Sequence, residues 1–342
     1  MQKVLSYQDF VSKIKNVYGE NSYLFLPNLD DTYTKVVFNE DVVADEGALN
    51  RIRMVDPLKT FFFKTKEDIL NFDKENFLQI IIGIKSCDIS ALKISDKIFL
   101  NKDYVDEMYK FYRDRTIIVS SDCPRPEKNC FCNLVGGQPY PVEGYDLNLS
   151  FVEEGRYILS SGSKKGDEII EKYFYDFNAP YKDDIVKSDN LRILAKQLVK
   201  ENNKDYFLDI EDYYNIVKQG YDLDDVWKKE SVTCVQCGGC NFICPSCYCF
   251  LIRENSKSYE EQYRDKVWDV CHSTGYGRVA GGGNSRRYKF QRFRNRYQCK
   301  FVYRKDNFNI YACTGCGRCI DVCPGRIDIR KVIKNFSVGS VI

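Results

Sequence analysis

Two stretches of the chain carry nearly unbroken apolar runs of strand length. Leu78-Gln79-Ile80-Ile81-Ile82-Gly83-Ile84 and Thr116-Ile117-Ile118-Val119-Ser120 are short and rich in β-branched residues, so each predicts a strand buried on both faces. Between them Ile89, Leu92, Ile94 and Ile98 recur near helical spacing, and the segment from Ile89 to Tyr112 reads as helix. Strand, helix, strand predicts a crossover unit with a parallel pair. The carboxyl ends of two such strands open onto one edge, where ligands bind in open α/β sheets. Residues 185–220 predict further packed helix. No apolar run approaches the ~18 residues that a membrane span requires. The start, Met1 to Phe10, lacks the apolar core of a signal peptide. A cytoplasmic protein without a membrane span is expected.

Composition narrows the class. The 342 residues predict two domains. Lys+Arg number 51 against 49 Asp+Glu, a formal net charge of +2, which argues against a chain whose main task is coating nucleic acid. With 44% hydrophobic and 14% aromatic residues the chain folds. A single histidine excludes a His-rich zinc or copper site. Sixteen cysteines in a reducing compartment read as metal ligands or redox groups, with packing thiols as the plain alternative. They are unevenly placed: four lie between 87 and 132, and the other twelve between 234 and 323. The acidic stretch Asp222-Leu223-Asp224-Asp225 precedes the dense part. The expected organisation is α+β, with an α/β domain over 1–225 and a second domain over 226–342.

The second part repeats one motif, Cys234-x2-Cys237-x2-Cys240-x3-Cys244-Pro245 and Cys313-x2-Cys316-x2-Cys319-x3-Cys323-Pro324. This is the bacterial ferredoxin pattern. Three thiolates two residues apart wrap one cubane, and the fourth, read here as opening a short helix, reaches the other. That assigns Cys234, Cys237, Cys240 and Cys323 to one 4Fe-4S cluster and Cys313, Cys316, Cys319 and Cys244 to a second. Zinc ribbons prefer paired C-x2-C with long gaps. Cys87, Cys123, Cys130 and Cys132 follow the two predicted strands and can close a third cubane or a tetrahedral zinc site. Cys247, Cys249, Cys271 and Cys299 remain, and their number fits a fourth cubane, packing thiols or a reactive pair. The last three lie in or beside a long insertion over 250–308. In it, Arg286-Arg287-Tyr288-Lys289-Phe290-Gln291-Arg292-Phe293-Arg294-Asn295-Arg296-Tyr297 interleaves arginine with aromatics. Nucleic-acid binding is one reading. Pairing with acidic residues, or a positive field beside a cluster, accords better with the balanced charge. Gly281-Gly282-Gly283 matches no nucleotide-binding pattern and reads as a turn; no flavin or nicotinamide fingerprint appears in the chain.

These motifs together resemble a known group. Cys87-Asp88-Ile89, Cys130-Phe131-Cys132, Cys244-Pro245-Ser246-Cys247-Tyr248-Cys249, Trp268-Asp269-Val270-Cys271, Arg292-Phe293-Arg294-Asn295-Arg296-Tyr297 and Cys313-Thr314-Gly315-Cys316-Gly317-Arg318-Cys319 are similar to the iron–sulfur beta subunit of sulfhydrogenase-type nickel–iron hydrogenases. They are similar also to the iron–sulfur subunit of anaerobic sulfite reductase, from the same dicluster family. The resemblance implies a non-catalytic electron-transfer subunit of a cytoplasmic anaerobic oxidoreductase. It would relay single electrons between two partners, a flavin/NAD(P)H-binding subunit on one side and a catalytic redox subunit on the other. It also brings the remaining four cysteines inside the family pattern, favouring a ligand role for them. Two alternatives stand beside it. One is a self-sufficient reductase acting through a cluster or Cys247/Cys249. The other is a zinc-bearing, nucleic-acid-binding protein.

Overall fold

The computed structural model describes residues 1–17, 19, 22–37, 44–51, 53–72, 78–206, 210–256 and 262–339. The first half contains strands β1 (Gln2–Leu5), β2 (Ser22–Pro27), β3 (Tyr33–Val37), β4 (Lys66–Asp68), β5 (Leu78–Ile84), β6 (Leu100–Asn101), β7 (Tyr104–Val105), β8 (Thr116–Ser121), β9 (Leu147–Glu153) and β10 (Arg156–Ser161). Its helices are α1 (Tyr7–Ile14), α2 (Glu46–Leu49), α3 (Ser86–Phe99), α4 (Glu107–Asp114), α5 (Lys164–Tyr173), α6 (Lys182–Asn202) and α7 (Ile210–Gln219). The second half adds α8 (Asp224–Glu230), α9 (Gly239–Phe242), β11 (Phe250–Ser256), β12 (Gln262–Trp268), α10 (Lys289–Tyr297), α11 (Arg304–Phe308), α12 (Arg318–Asp321) and α13 (Ile329–Gly339). The mixture is α+β. Among the described residues no helix is long and apolar enough to cross a membrane.

Seven strands form one sheet in the order β1-β10-β9-β8-β5-β2-β3, parallel from β9 through β8 and β5 to β2 and antiparallel at both edges. The two apolar runs are its centre, with Ile80 opposite Ile117 and Ile81 opposite Ile118. Alternation divides their side chains between two cores. Ile80, Ile82, Ile117 and Val119 join Phe10, Ile14 and Phe174 beneath α1 and α5. Ile81, Ile84 and Ile118 join Leu92, Phe99 and Tyr109 under α3 and α4. A register shift between Ile82 and Ile84 returns Ile84 to the second face.

The expected helix over Ile89–Tyr112 is two helices. The polar segment Asn101-Lys102-Asp103 turns the β6–β7 hairpin, and Asp106 then caps α4 by accepting from the Tyr109 amide. Helical spacing alone does not register such a break. Residues 185–220 are helical in α6 and α7, apart from a 3₁₀ turn at Lys204–Tyr206 and residues 207–209, which lie outside the described set.

A third core gathers Tyr213 and Val217 of α7, Trp227 of α8, Phe293 and Tyr297 of α10, and Ile333 and Phe336 of α13, together with Phe131 and Leu134 from the loop after β8. The insertion does not stand apart. Its β11–β12 hairpin pairs through β12 with β4, Lys266 opposite Glu67. The buried Lys266 ammonium binds Glu67 at 2.7 Å and Asp106 at 2.8 Å. The hairpin thereby holds Trp268 against Phe63 and brings its base, where Asp269 donates to the Cys249 carbonyl, beside the cysteine-rich loops.

Candidate metal centres

The twin motifs fold alike. Cys234 to Cys240 and Cys313 to Cys319 each place left-handed residues at the same two steps, Gln236 and Gly238 in one, Gly315 and Gly317 in the other. Alternating handedness turns successive backbone N–H groups toward a common point, a nest suited to an anion. A one-turn helix then follows, α9 or α12, with the third cysteine inside it. Here the structure departs from expectation: Cys244 and Cys323 follow these turns and do not open new helices. The Pro after each suits that position, since it ends the turn and needs no N–H partner. Glycine is required at Gly315 and Gly317 for close approach as well as handedness. A Cβ on Gly315 would stand 2.5 Å from the Cys132 backbone, and one on Gly317 2.5 Å from the Asn129 carbonyl.

Cys234, Cys237, Cys240 and Cys323 line one cavity of about 40 Å³ (site one). Of the sixteen cysteines Cys237 alone is exposed. The Ile327 amide donates to the Cys323 sulfur at 3.4 Å. His272, buried, has Nδ1 3.7 Å from Cys234 Sγ. Burial, with Arg296 and Arg292 nearby, lowers its pKa to about 3, so the ring is neutral. Cys313 has Cys319, Cys244 and Cys316 as its neighbours (site two). Thus a cysteine of the first motif stands near three of the second.

Cys87, in the first turn of α3, and Cys123, after β8, emerge on the same carboxyl edge of the sheet. With Cys130 and Cys132 they line a cavity of about 30 Å³ (site three). Cys316 and Gly315 of the second motif also line it, so sites two and three are adjacent. Burial pushes the Cys123 and Cys132 thiols up to about 12. Lys85, buried, donates to Leu49 O, Ser121 Oγ and Asp122 O, and burial lowers it to about 8. Arg53 reaches Cys130 Sγ at 3.8 Å and pairs with Asp321. Arg318 forms a two-pronged pair with Asp88, both contacts 2.9 Å, with both partners buried. This pair clamps α12 to the N-terminus of α3.

Cys247, Cys249, Cys271 and Cys299 come from different segments and line one cavity of about 330 Å³ (site four). Cys247 and Cys249 precede β11, and Cys271 follows β12. Cys299 and Lys300 sit where the long helix after α10 widens to π geometry over Gln298–Tyr303, a distortion frequent at functional sites. Asn241 Nδ2 is 3.2 Å from Cys271 Sγ and 3.7 Å from Cys247 Sγ. Its Oδ1 is 3.6 Å from Cys240 Sγ, so one side chain touches sites one and four.

Buried cations fill the joints between sites, and a reading of spacing misses them. Lys300, 2% exposed, donates to Ser246 Oγ at 2.7 Å and has Cys244, Cys247 and Cys299 as neighbours. Arg296 lies among Cys240, Cys319, Cys244 and Cys247, and its Nε has no hydrogen-bond partner. Lys59 donates to the Asn241 and Cys247 carbonyls and lies 4.1 Å over the Trp268 ring. The expectation for the basic stretch is met in part. Arg294 pairs with Asp224. Arg292 instead donates to the carbonyls of His272, Arg286 and Arg287, and Arg296 to that of Cys240. Gly281 and Gly282 form an exposed turn, as expected.

The donor set fits iron–sulfur cubanes. Among the described residues no three His, Cys, Asp or Glu side chains stand close enough to hold a single ion. Tetrahedral zinc requires sulfurs within about 3.8 Å of one another, from a Zn–S distance near 2.3 Å. Four thiols around one cavity with a buried cation at its wall, as at sites one, three and four, suit an anion larger than a single ion.

Comparison with known proteins agrees. A family model described as a 4Fe-4S dicluster domain matches residues 233–327, which implies at least two 4Fe-4S clusters. The sulfhydrogenase 2 subunit beta of Pyrococcus furiosus is 31% identical over 318 residues, covering 89% of this chain and 90% of that protein.

Proposed function

The chain belongs to the family of the sulfhydrogenase beta subunit, and on that premise we propose that it relays single electrons through four 4Fe-4S clusters. An iron–sulfur electron-transfer role follows from the family and the dicluster domain; the count and the ligand sets are our reading. Cys234, Cys237, Cys240 and Cys323 hold the first cluster, and Cys244, Cys313, Cys316 and Cys319 the second. Cys87, Cys123, Cys130 and Cys132 hold the third, and Cys247, Cys249, Cys271 and Cys299 the fourth. Residues 1–225 then form the domain of the third cluster and 226–342 the ferredoxin-like domain. As for the relative, whose name makes it one subunit of a larger protein, partner subunits are expected. One binds flavin and NAD(P)H and the other is a catalytic redox subunit, in a cytoplasmic anaerobic complex.

The observation that carries this reading is the adjacency of the four sites. Cys316 and Gly315 border site three. Cys244 of site two stands beside Cys247 of site four, with Lys300 next to both. Asn241 joins sites one and four. When bound, the clusters would accept and pass on electrons. The chain's part is to hold them near one another, exclude water and fix charge. Lys300 and Arg296 keep positive charge at the joints, which favours arrival of an electron. Cys237 is where site one meets solvent and a partner's cofactor.

Iron, acid-labile sulfide and zinc per chain, measured on protein purified without oxygen, test the proposal. About sixteen irons, four per cubane, are expected. About twelve removes one non-ferredoxin site, about eight removes both, and zinc without sulfide overturns the reading.

A further inference from the structure

We propose that the cavity of site four also binds a small, doubly charged oxoanion, gripped by Arg286 and Arg304. The inference rests on the cluster assignment above for what fills the inner part of the cavity, but its own argument is space and charge. Sites one and three close to about 40 and 30 Å³, whereas site four opens to about 330 Å³. The same cubane leaves much more room there.

Charge points the same way. Four cations line this cavity, Arg286, Arg296, Lys300 and Arg304, and no carboxylate does. Arg296 and Lys300 also neighbour cysteines of sites one and two, so they offset the cluster charge. Arg286 and Arg304 are left over. Among the described residues neither takes part in an ion pair. Arg304 Nε is buried without a hydrogen-bond partner, while the guanidinium lies 4.9 Å from the Tyr248 ring centre. A buried, unpaired N–H of a cation is costly unless something accepts from it. Planar guanidinium groups bind oxoanions through paired N–H···O contacts. The hydroxyl of Tyr303 on the same wall supplies a further donor, while that of Tyr276 lies 3.5 Å from Cys249 Sγ. An electron added to the neighbouring cluster repels the anion. Affinity therefore falls on reduction, and by linkage the bound anion makes that cluster harder to reduce by the same factor.

The test is calorimetric titration of the oxygen-free holoprotein with sodium sulfate, ionic strength held constant with chloride, and iron counted on the same sample. Saturable uptake of one sulfate per chain is expected. Arg304→Gln and Arg286→Gln should each weaken it about tenfold or more, the loss of one charge-assisted hydrogen bond. No saturable uptake by the wild-type protein, or equal affinity in the double variant, overturns the anion site. The iron count separates the two claims. Sixteen irons without sulfate uptake leaves the four-cluster reading and removes the anion. Twelve irons with uptake that Arg304→Gln abolishes keeps the anion and removes the four-cluster count.

Discussion

Site one and site four are both rings of four cysteines, yet they are built in opposite ways. Site one takes three thiols from a seven-residue loop whose backbone handedness is set locally, and the cavity closes tightly around one sulfur exposed to solvent. Site four takes its thiols from three separate stretches of chain, held by a hairpin on a distant strand, a π-helical turn and a bridging asparagine. Local encoding yields a compact site that the motif alone specifies. Assembly from afar yields a roomier one that depends on its neighbours. The shared element is site two, which contributes Cys244 beside Cys247. Its loss should therefore spread, whereas loss of a site-four thiol should stay local.

Cys244→Ala is the sharpest way to break that contrast, and carries the largest expected effect. It removes a site-two ligand that stands beside the site-four ligand Cys247. About eight of sixteen irons should be lost, against about four for Cys299→Ala. Equal losses, read by iron and sulfide analysis, would show that the two sites are independent.

The clamp between halves comes next. Asp88→Asn leaves the Arg318 guanidinium buried with its countercharge gone and one acceptor oxygen where there were two. Breaking such a pair costs about 3–5 kcal/mol, read as a fall in the denaturation midpoint of the holoprotein. Arg318→Met, which removes the charge and fills part of the space, should cost less. If both variants lose the same, the Asp88 carboxylate is not what the guanidinium requires.

The contrast also explains what residue order alone reveals. The strands at 78–84 and 116–120 were legible because burial on both faces leaves a continuous apolar run. Both ferredoxin loops were legible because spacing fixes the ligand geometry. The convergence of Cys87, Cys123, Cys130 and Cys132 followed from parallel strands opening onto one edge. The break after Phe99 was not legible, since a tight hairpin interrupts helical periodicity by only a few residues. The positive field beside a cluster, read from the arginine stretch, is where Arg296 lies among Cys240, Cys319, Cys244 and Cys247. Lys59, Lys85 and Lys300 were not legible, since a lone lysine in a sequence reads as a solvated side chain, and only the fold shows these to be buried among thiols. Asn241, inside a motif that drew attention to its cysteines, carries no separate signal.

The twin loops can be told apart by one methyl group. At Gly315 a Cβ would strike the Cys132 backbone at 2.5 Å, and φ is +67°. At Gly238 φ is +75°, but the nearest atom is a Val270 methyl at 3.0 Å, which can give. Left-handed backbone costs roughly 1–2 kcal/mol in either case. The collision adds about 1–3 kcal/mol at Gly315. Gly315→Ala should therefore lower the midpoint of thermal unfolding well beyond Gly238→Ala and loosen site three along with site two, since Cys132 must move. Equal effects would mean that the packing of the loop on Cys132 is not tight in solution.

The smallest effect sharpens the idea that charge is placed at the joints. Lys300 neighbours Cys244, Cys247 and Cys299, so its ammonium faces two cluster sites, whereas Lys85 neighbours Cys123 and Cys87 of site three alone. A positive charge held in a poorly polarisable interior favours the reduced, more negative form of whatever it faces. Lys300→Met keeps the length of the side chain and removes the charge. It should lower the reduction potentials of two clusters, each by about 60 mV, a tenfold change for one electron. Lys85→Met should lower one potential by a similar amount and leave the others in place. Potentiometric titration followed by electron paramagnetic resonance resolves the clusters by their signals. Two shifted couples in the first variant and one in the second would locate Lys300 at a junction of the relay. A single shifted couple in both would place sites two and four too far apart, in electrostatic terms, to share a charge.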